Sequence, residues 1–318
     1  MKPITFALLI ALSVAPAPFA AGLEDAARLL PTGATALVGI DVASIKDSVL
    51  YSRFEQQMEA DKRAELDEFA RQTGLDPRTD LDRVTVAMWG PKDKESLLLV
   101  AQGRAQLNLE AQAFIDGFSQ VGSHHGIPIY EGRDKNEERE MHYSFIDDAT
   151  LIAGTPVAVV EGIERHVSGG VSAYDDDALM VQAADAQSDG QLWLVSRQAG
   201  SILSRAPAMP GVGDPRLLRI LSAIEETTFS LNIINGMRLT LASVCASAVE
   251  AQTLAAAARG MLAIARLGAA SENDMLSMLD KVQVTDQDST FEAALVLTAS
   301  QLDEWIQLFE SSGSGSAD

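Results

Sequence analysis

The sequence predicts an α+β protein of two tandem, similar units, each an antiparallel sheet covered on one face by helices. Short runs with apolar residues at every second position have the period of a strand, and runs joined by tight turns are typical of antiparallel hairpins. The order strand, helical segment, hairpin, long helix, hairpin, helix occurs twice along the 318 residues. Hydrophobic residues make up 47% of the chain, which is enough for a core beneath the helices.

The N-terminus has the pattern of a secretory signal peptide. Lys2 precedes an apolar run at 4–14, which is shorter than the ~20 residues that a membrane-spanning helix needs. Ala20-Ala21-Gly22 fits a cleavage site, so residues 1–22 are predicted to be removed and the mature chain to begin at Leu23. The alternative is an uncleaved N-terminal anchor. We expect a periplasmic or extracellular protein with no integral membrane segment after signal removal.

The first unit is predicted to span residues 23–172. Pro31 and Gly74 end helices, and Pro156 begins one at a position where its missing N–H costs nothing. The predicted elements are a helix at 24–31, a strand at 35–42, a helix at 52–72, strands at 84–89 and 96–102, a helix at 109–121, a hairpin within 127–145, a strand at 150–153 and a helix at 156–167.

The hairpin within 127–145 has the clearest pattern for predicting a register. Apolar and polar residues alternate on both of its strands, so that each apolar set lies on one face. We expect Ile129 opposite Tyr143 and Ile127 opposite Phe145, because a slip of one residue would place the apolar set against solvent.

The second unit is predicted to span residues 173–310. Gly169-Gly170 and the acidic run Asp175-Asp176-Asp177 mark the change of segment before it. The Ser/Gly-rich tail at 311–318 is predicted to be disordered. The predicted elements are a strand at 191–196, a Pro/Gly-rich loop at 206–215, a helix at 217–224, strands at 228–233 and 237–244, helices at 249–267 and 272–279, strands at 282–285 and 290–297, and a helix at 300–310.

The hairpin around Asn235-Gly236 allows two turn lengths. A two-residue turn would place Leu231 opposite Thr240 and would mismatch the two faces. A three-residue loop with Gly236 in the left-handed conformation places Leu231 opposite Leu239 and matches them. We therefore expect the three-residue loop.

The passage from hairpin to long helix is alike in the two units. LLLVAQGRAQLNLEAQAFIDGF (97–118) parallels RLTLASVCASAVEAQTLAAAARGM (238–261), and Glu110-Ala111-Gln112 matches Glu250-Ala251-Gln252. Three matched residues, taken together with the shared order of elements, favour a duplication.

Three stretches of the chain resemble a group of exported bacterial proteins of unknown function. They are LLPTGATALVGIDVASIKDSVLYSRF (29–54), TGLDPRTDLDRV (73–84) and TLIAGTPVAVVEGI (150–163). That group pairs a signal sequence with tandem α+β units, so the resemblance implies export and the same fold. It covers the first half of the chain in residues and the second half only in the order of elements. It carries no catalytic residue across, because the group has no assigned activity.

The formal net charge of −21 restricts the partners. A negative surface repels phosphate backbones and anionic lipid headgroups, so we expect no nucleic-acid partner. The only cysteine, Cys245, excludes an internal disulfide. The sequence contains no Gly-Lys-Ser/Thr phosphate loop and no Gly-x-Ser-x-Gly elbow, and we expect no cofactor.

The candidate site predicted from the sequence combines two histidines with two aspartates. The expected hairpin register places His125 opposite Asp147 and His124 opposite Asp148 at the open end of the hairpin. Imidazole beside carboxylate is a combination that binds metal ions or orients a general base. The alternative is a pair of surface ion pairs, each worth under ~1 kcal/mol.

These observations favour a non-enzymatic exported binding or interaction protein, whose ligand is an unidentified protein or small molecule. One alternative is a metal-assisted hydrolase that uses His124, His125, Asp147 and Asp148. The other is a structural component of the cell envelope. A concave pocket surrounded by the four side chains would favour the hydrolase, whereas side chains that point apart would count against it.

Overall fold

The computed structural model describes residues 22–58, 60–73, 76–91, 94–103, 118–132, 140–197, 223–269 and 273–313. It confirms the α+β class, with helices and antiparallel strands in both parts of the chain. The chain divides into two compact units, 1–185 and 186–318. Apart from Gly22, the predicted signal peptide at 1–22 lies outside the described residues.

The boundary between the units lies after Asp185, whereas the sequence placed it after residue 172. The segment between these positions is tied to the first unit. The N–H of Ala173 donates to the carbonyl oxygen of Leu30 at 2.9 Å, and a single 3-10 turn follows at Ala173–Asp175. The glycines and aspartates that were interpreted as a boundary therefore lie within the first unit.

The elements of the first unit follow the predicted order, with an added strand at 118–124 and added helices at 42–46, 77–80 and 177–189. The helices are α1 (Leu23–Leu29), α2 (Val42–Lys46), α3 (Val49–Gln57), α4 (Ala60–Thr73), α5 (Pro77–Asp80), α6 (Pro156–Ser168) and α7 (Asp177–Asp189), the last of which runs past the boundary. The strands are β1 (Ala36–Asp41), β2 (Leu81–Trp89), β3 (Ser96–Gly103), β4 (Phe118–His124), β5 (Ile127–Gly132), β6 (Met141–Asp147) and β7 (Thr150–Gly154).

The sheet of the first unit has the strand order β1-β2-β3-β7-β6-β5-β4. Helix α6 covers one face of this sheet, against β3, β6 and β7. Val159 and Ile163 of the helix are fully buried, as is Ile152 of the sheet. Gly162 allows the close approach, since a Cβ at this position would lie 3.1 Å from side-chain carbons of Ile152 and Leu98.

The predicted helix at 109–121 is wrong at its end. Residues 118–124 form strand β4, which pairs with β5 through the turn His125-Gly126, and the preceding part lies outside the described residues. The predicted helix at 52–72 is divided into α3 and α4.

The predicted register of the 127–145 hairpin is also wrong, by one residue. Tyr130, rather than Ile129, lies opposite Tyr143, and the two tyrosine rings stack with centroids 6.3 Å apart. The prediction assumed that one face of the strand meets solvent, but the neighbours Ile129 and Tyr130 are both buried. Pro128 contributes no N–H, so backbone pairing with β6 is confined to the last positions of β5.

The second unit has fewer strands, in the order β8-β9-β10-β12-β11. Its elements are β8 (Leu192–Ser196), β9 (Ile224–Asn232), β10 (Gly236–Cys245), α8 (Ala248–Gly268), α9 (Asn273–Leu279), β11 (Val282–Gln287), β12 (Thr290–Thr298) and α10 (Ala299–Gly313). The predicted loop at 206–215 and most of the predicted helix at 217–224 lie outside the described residues, and Ile224 already belongs to β9. The final helix includes residues 311–313 of the tail that was predicted to be disordered.

The predicted register of the β9–β10 hairpin is confirmed. Leu231 lies opposite Leu239, and Gly236 has a φ of +119°, a conformation that favours glycine. Helix α8 packs on this unit through a core that includes Cys245, Leu254 and Phe291.

None of the helices in the described part of the chain combines the length and the apolar content needed to span a bilayer.

Candidate functional site

Helix α6 positions the groups of two candidate sites in the first unit. Pro156 opens the helix, and Gly169 closes it in the left-handed conformation, donating its N–H to the carbonyl oxygen of Arg165 at 2.9 Å. The apolar face of the helix is fixed on the sheet. Its last turn therefore presents Glu164 and Arg165 in fixed positions.

The first candidate site is a cleft of about 920 Å³, which we call the acidic cleft. It lies between α1, the β6–β7 turn, the end of α6 and the segment 169–175. Four aspartates and two arginines line it. They are Asp25, Asp147, Asp148, Asp175, Arg28 and Arg165.

Gln102 lines the acidic cleft from strand β3. The residue is 5% exposed, and its Oε1 atom is buried with no hydrogen-bond partner in the described part of the chain. A buried acceptor left unpaired costs about 1–3 kcal/mol. A ligand that donates an N–H or O–H to this oxygen would remove that cost.

Both arginines of the cleft are engaged by groups of the protein. The guanidinium of Arg165 donates to the carbonyl oxygen of Leu29 at 2.9 Å and to Glu161 at 3.1 Å. Burial lowers the pKa of Arg165, and the opposing effect of Glu161 is smaller. The guanidinium carbon of Arg28 lies 3.9 Å from the ring centroid of Tyr174, a cation–π geometry.

Two of the aspartates are held by local backbone hydrogen bonds. Asp175 accepts from the N–H of Ser172 at 2.8 Å, and Asp147 accepts from the N–H of Ala149 at 2.8 Å. These bonds orient carboxylates that line the cleft. Because four carboxylates outnumber two guanidinium groups, the cleft favours a positively charged ligand.

The second candidate site, which we call the His–Glu cluster, joins the β4–β5 turn to α6. The Nε2 atoms of His124 and His125 lie 2.9 Å and 2.7 Å from the same atom, Oε2 of Glu164. The two imidazole rings meet edge to face with centroids 4.5 Å apart. The exposed fractions of the three side chains are 34%, 42% and 47%, so the cluster is open to solvent on one side.

The carboxylate of Glu164 is held from its other side by Ser168. The hydroxyl of Ser168 donates to Oε1 at 2.5 Å, which leaves Oε2 to the two histidines. This hydrogen bond, followed by those of His125 and His124, lowers the pKa of Glu164 to about 2. The group is therefore a carboxylate at neutral pH.

The turn between β4 and β5 brings adjacent histidines to one carboxylate. Neighbouring residues of a strand point to opposite faces. His125 leaves the strand with a φ of +50°, and Gly126 follows with a φ of +81°. This conformation is uncommon for a residue with a Cβ, and here it turns the imidazole of His125 toward Glu164.

The four residues predicted as a site do not surround one pocket. Asp147 and Asp148 line the acidic cleft, whereas the two histidines contact Glu164. Glu164 was not predicted because strand β4 was assigned to the end of a helix. Without that strand, the β4–β5 turn could not be placed near α6. The spacing of Glu164 and Ser168, one helical turn apart, was the available signal.

The first unit is thus an antiparallel sheet with a covering helix that carries polar groups at its end. No family model matches the chain, and no curated protein sequence matches it. Solved structures of the treponemal protein TP0453 are similar to it. Crystal form III has a TM-score of 0.49 at 13% identity and covers 88% of this chain and 96% of TP0453.

Two other crystal forms of TP0453 give comparable values. Form I has a TM-score of 0.47 at 14% identity, with 88% of this chain and 95% of that chain covered. Form IV has a TM-score of 0.46 at 14% identity, with 90% and 99% covered. With TM-scores below 0.5, these similarities carry no information about function.

Proposed function

We propose that this chain is an exported, non-enzymatic binding protein that holds a small organic cation with N–H donors in the acidic cleft. The observation that carries the proposal is Gln102, a residue of the cleft lining whose buried Oε1 has no hydrogen-bond partner in the described part of the chain. A ligand N–H completes this acceptor, and the positive charge of the ligand is balanced by the aspartates.

The charges of the cleft support a cationic ligand. Four aspartates face two arginines, and both arginines already have partners in the protein. A net charge of −21 adds a long-range attraction for cations, which raises their rate of encounter.

The size of the cleft supports a small molecule. Its volume of about 920 Å³ lies within the range of roughly 300–1,000 Å³ that is usual for small-molecule sites.

The test uses spermidine and fully N-methylated (quaternised) spermidine as probes in isothermal titration of the mature protein. Both probes carry three positive charges, but only spermidine has N–H groups. We expect spermidine to bind with one-to-one stoichiometry and the methylated analogue to bind much more weakly. Raising the salt concentration is expected to weaken the binding of spermidine, because the aspartates are near solvent.

Two variants and a control locate the site. Gln102→Met removes the acceptor at similar volume and is expected to weaken spermidine binding about tenfold. Asp148→Asn removes one charge and is expected to weaken it about two- to fivefold. Asp47→Asn, an exposed aspartate of the same unit that does not line the cleft, is expected to leave it unchanged. The absence of spermidine binding, or equal binding by Gln102→Met, would contradict the proposal.

A further inference from the structure

We propose that the His–Glu cluster is a binding site for one divalent transition-metal ion, of which Zn²⁺ is the best fit. Its ligands would be Nε2 of His124, Nε2 of His125 and Oε2 of Glu164, which the fold brings together from a turn and a helix far apart in the sequence. The site is separate from the acidic cleft and does not depend on the function proposed for that cleft.

The distances within the cluster are close to those of a metal site. The potential ligand atoms of the three residues all lie within 4.8 Å of one another. In a tetrahedral zinc site with bonds of about 2.0–2.1 Å, ligand atoms are about 3.3 Å apart. The separations of 2.9 Å and 2.7 Å between the imidazole nitrogens and Oε2 therefore need to open by only about half an ångström to admit the ion.

The chemistry of the ligands selects the class of metal. Two imidazoles and one carboxylate suit Zn²⁺, Co²⁺ and Ni²⁺, whereas Ca²⁺ and Mg²⁺ prefer oxygen ligands throughout. Each histidine would bind as the neutral tautomer with its proton on Nδ1, so that the Nε2 lone pair faces the ion. The metal then replaces the hydrogen bonds that join the histidines to Glu164 in the metal-free protein.

The surroundings of the cluster hold its ligands in place. Ser168 donates to Oε1 of Glu164, so the carboxylate keeps its orientation, as the hydrogen-bonded carboxylates of metal sites do. The left-handed conformation of His125 aims the second imidazole at the first. The two-residue turn itself requires this conformation, since such hairpin turns have a positive φ at both central residues.

The cluster supplies three protein ligands and leaves room for a fourth. With side chains between one third and one half exposed, solvent reaches the position where the ion would sit. A three-ligand site with an open position binds water or a small anion as its fourth ligand. It would also connect the β4–β5 hairpin to α6 and stabilise that contact.

The experiment titrates the full mature chain, purified without a polyhistidine tag, with Co²⁺ and with Zn²⁺. We expect one Co²⁺ per chain with the visible absorption bands of tetrahedral coordination, and we expect one equivalent of Zn²⁺ to abolish those bands. Excess Ca²⁺ or Mg²⁺ should leave them unchanged. Zinc should also raise the melting temperature, because it binds the folded chain.

Variants separate this site from other acidic groups of the chain. Glu164→Gln keeps the shape of the side chain but removes a charged ligand, and we expect it to lower the affinity for Co²⁺ more than tenfold. Ser168→Ala keeps all three ligands and is expected to lower the affinity about tenfold, the lower end of the range for losing a supporting hydrogen bond. His142→Ala is the matched control, since His142 pairs with Glu140 at 3.0 Å without a second histidine.

Each outcome of the titration decides the proposal. If the wild-type chain binds no Co²⁺, the cluster is only a hydrogen-bonded contact between a turn and a helix. If it binds Co²⁺ but Glu164→Gln binds it equally well while remaining folded by circular dichroism, the ion sits elsewhere. Loss of the tetrahedral bands in Glu164→Gln, with retention in His142→Ala, supports the site.

Discussion

The two units have the same strand order except at one end. The first unit runs β1-β2-β3-β7-β6 and continues into β5 and β4, whereas the second runs β8-β9-β10-β12-β11 and ends there. Helix α6 follows β7 in the first unit as α10 follows β12 in the second. The shared order is what a duplication would produce, and the additional hairpin is where the units differ.

The His–Glu cluster of the first unit lies at that additional hairpin. Its turn brings His124 and His125 to Glu164. In the second unit the end strand β11 is contacted by helix α8, where Arg259 bonds Asp286 at 2.7 Å. At this end of the strand order, the second unit has helix α8 packed on its last strand, whereas the first unit continues into a hairpin. Strands can be added at a sheet end without changing the inner pairs, so the end is where a new site is easily built.

The largest expected effect is the loss of stability when a side chain is added where two strands approach closely. The strands are β3 and β7 in the first unit and the equivalent β10 and β12 in the second. A Cβ on Gly154 would lie 2.2 Å from the carbonyl oxygen of Leu97, and a Cβ on Gly236 would lie 2.3 Å from that of Leu297. Alanine at either position must push the backbones apart, and we expect a loss of about 3–4 kcal/mol in the free energy of unfolding, measured in urea. Gly170→Ala has open space and should change it by less than about 0.5 kcal/mol. If alanine destabilised the protein at only one of Gly154 and Gly236, the two strand pairs would not be equivalent.

The next effect compares the helices that follow β7 and β12. Val159 is the fourth residue of α6 and Leu302 the fourth of α10, and both are buried. We expect Val159→Ala and Leu302→Ala to lower the free energy of unfolding by about 2–3 kcal/mol, since each leaves a cavity against its sheet. Val157→Ala on α6 is the control, because this side chain is 65% exposed. A loss at Leu302 no larger than that at Val157 would show that the two helices do not pack alike.

A smaller effect concerns pH and should arise in the first unit. The pKa of Glu164 is lowered from 4.5 to about 2, so its contribution to stability is complete above pH 4.5 and is lost as the pH falls toward 2. We expect the difference in melting temperature between the wild type and Glu164→Gln to shrink as the pH falls below 4.5. Glu140→Gln, which changes a carboxylate that pairs with one histidine, is measured over the same pH range for comparison. A difference that persists unchanged at pH 2 would contradict the assignment of the shift to Glu164.

The smallest effect compares two turns with similar sequences. Asp288 in the β11–β12 turn has a φ of +51°, whereas Asp148 in the β6–β7 turn does not have a positive φ. Asp288→Gly is expected to raise the free energy of unfolding by about 0.5 kcal/mol, because glycine adopts this conformation freely. Asp148→Gly is expected to lower it by about 0.5 kcal/mol through the entropy of the unfolded chain. If both substitutions changed the free energy of unfolding in the same direction, the two turns would have the same backbone conformation.

The sequence predicted those parts of the fold that depend on local signals. The β9–β10 register followed from the position of Gly236, and the start of α6 followed from Pro156. The predicted register of β5 and β6 was wrong because Ile129 and Tyr130 are both buried. The prediction had assumed that buried and exposed residues alternate along the strand.

The candidate site was predicted only in part. Both histidines belong to the observed cluster, but their partner is Glu164 and not Asp147 or Asp148. That contact joins residues about forty positions apart and depends on where α6 packs, as the hydrogen bonds across the sequence show. Gln102 could not have been found either, because an unpaired buried oxygen is visible only once its neighbours are placed.

The single thiol of this chain gives the second unit a natural reporter. Cys245 is 3% exposed beneath α8, and burial, with smaller effects of Glu250 and Glu225, raises the pKa of its thiol. Its reaction with a maleimide therefore requires the helix to lift from the sheet. Because the sequence contains no other cysteine, the rate of labelling measures how often that core opens, without any engineered probe.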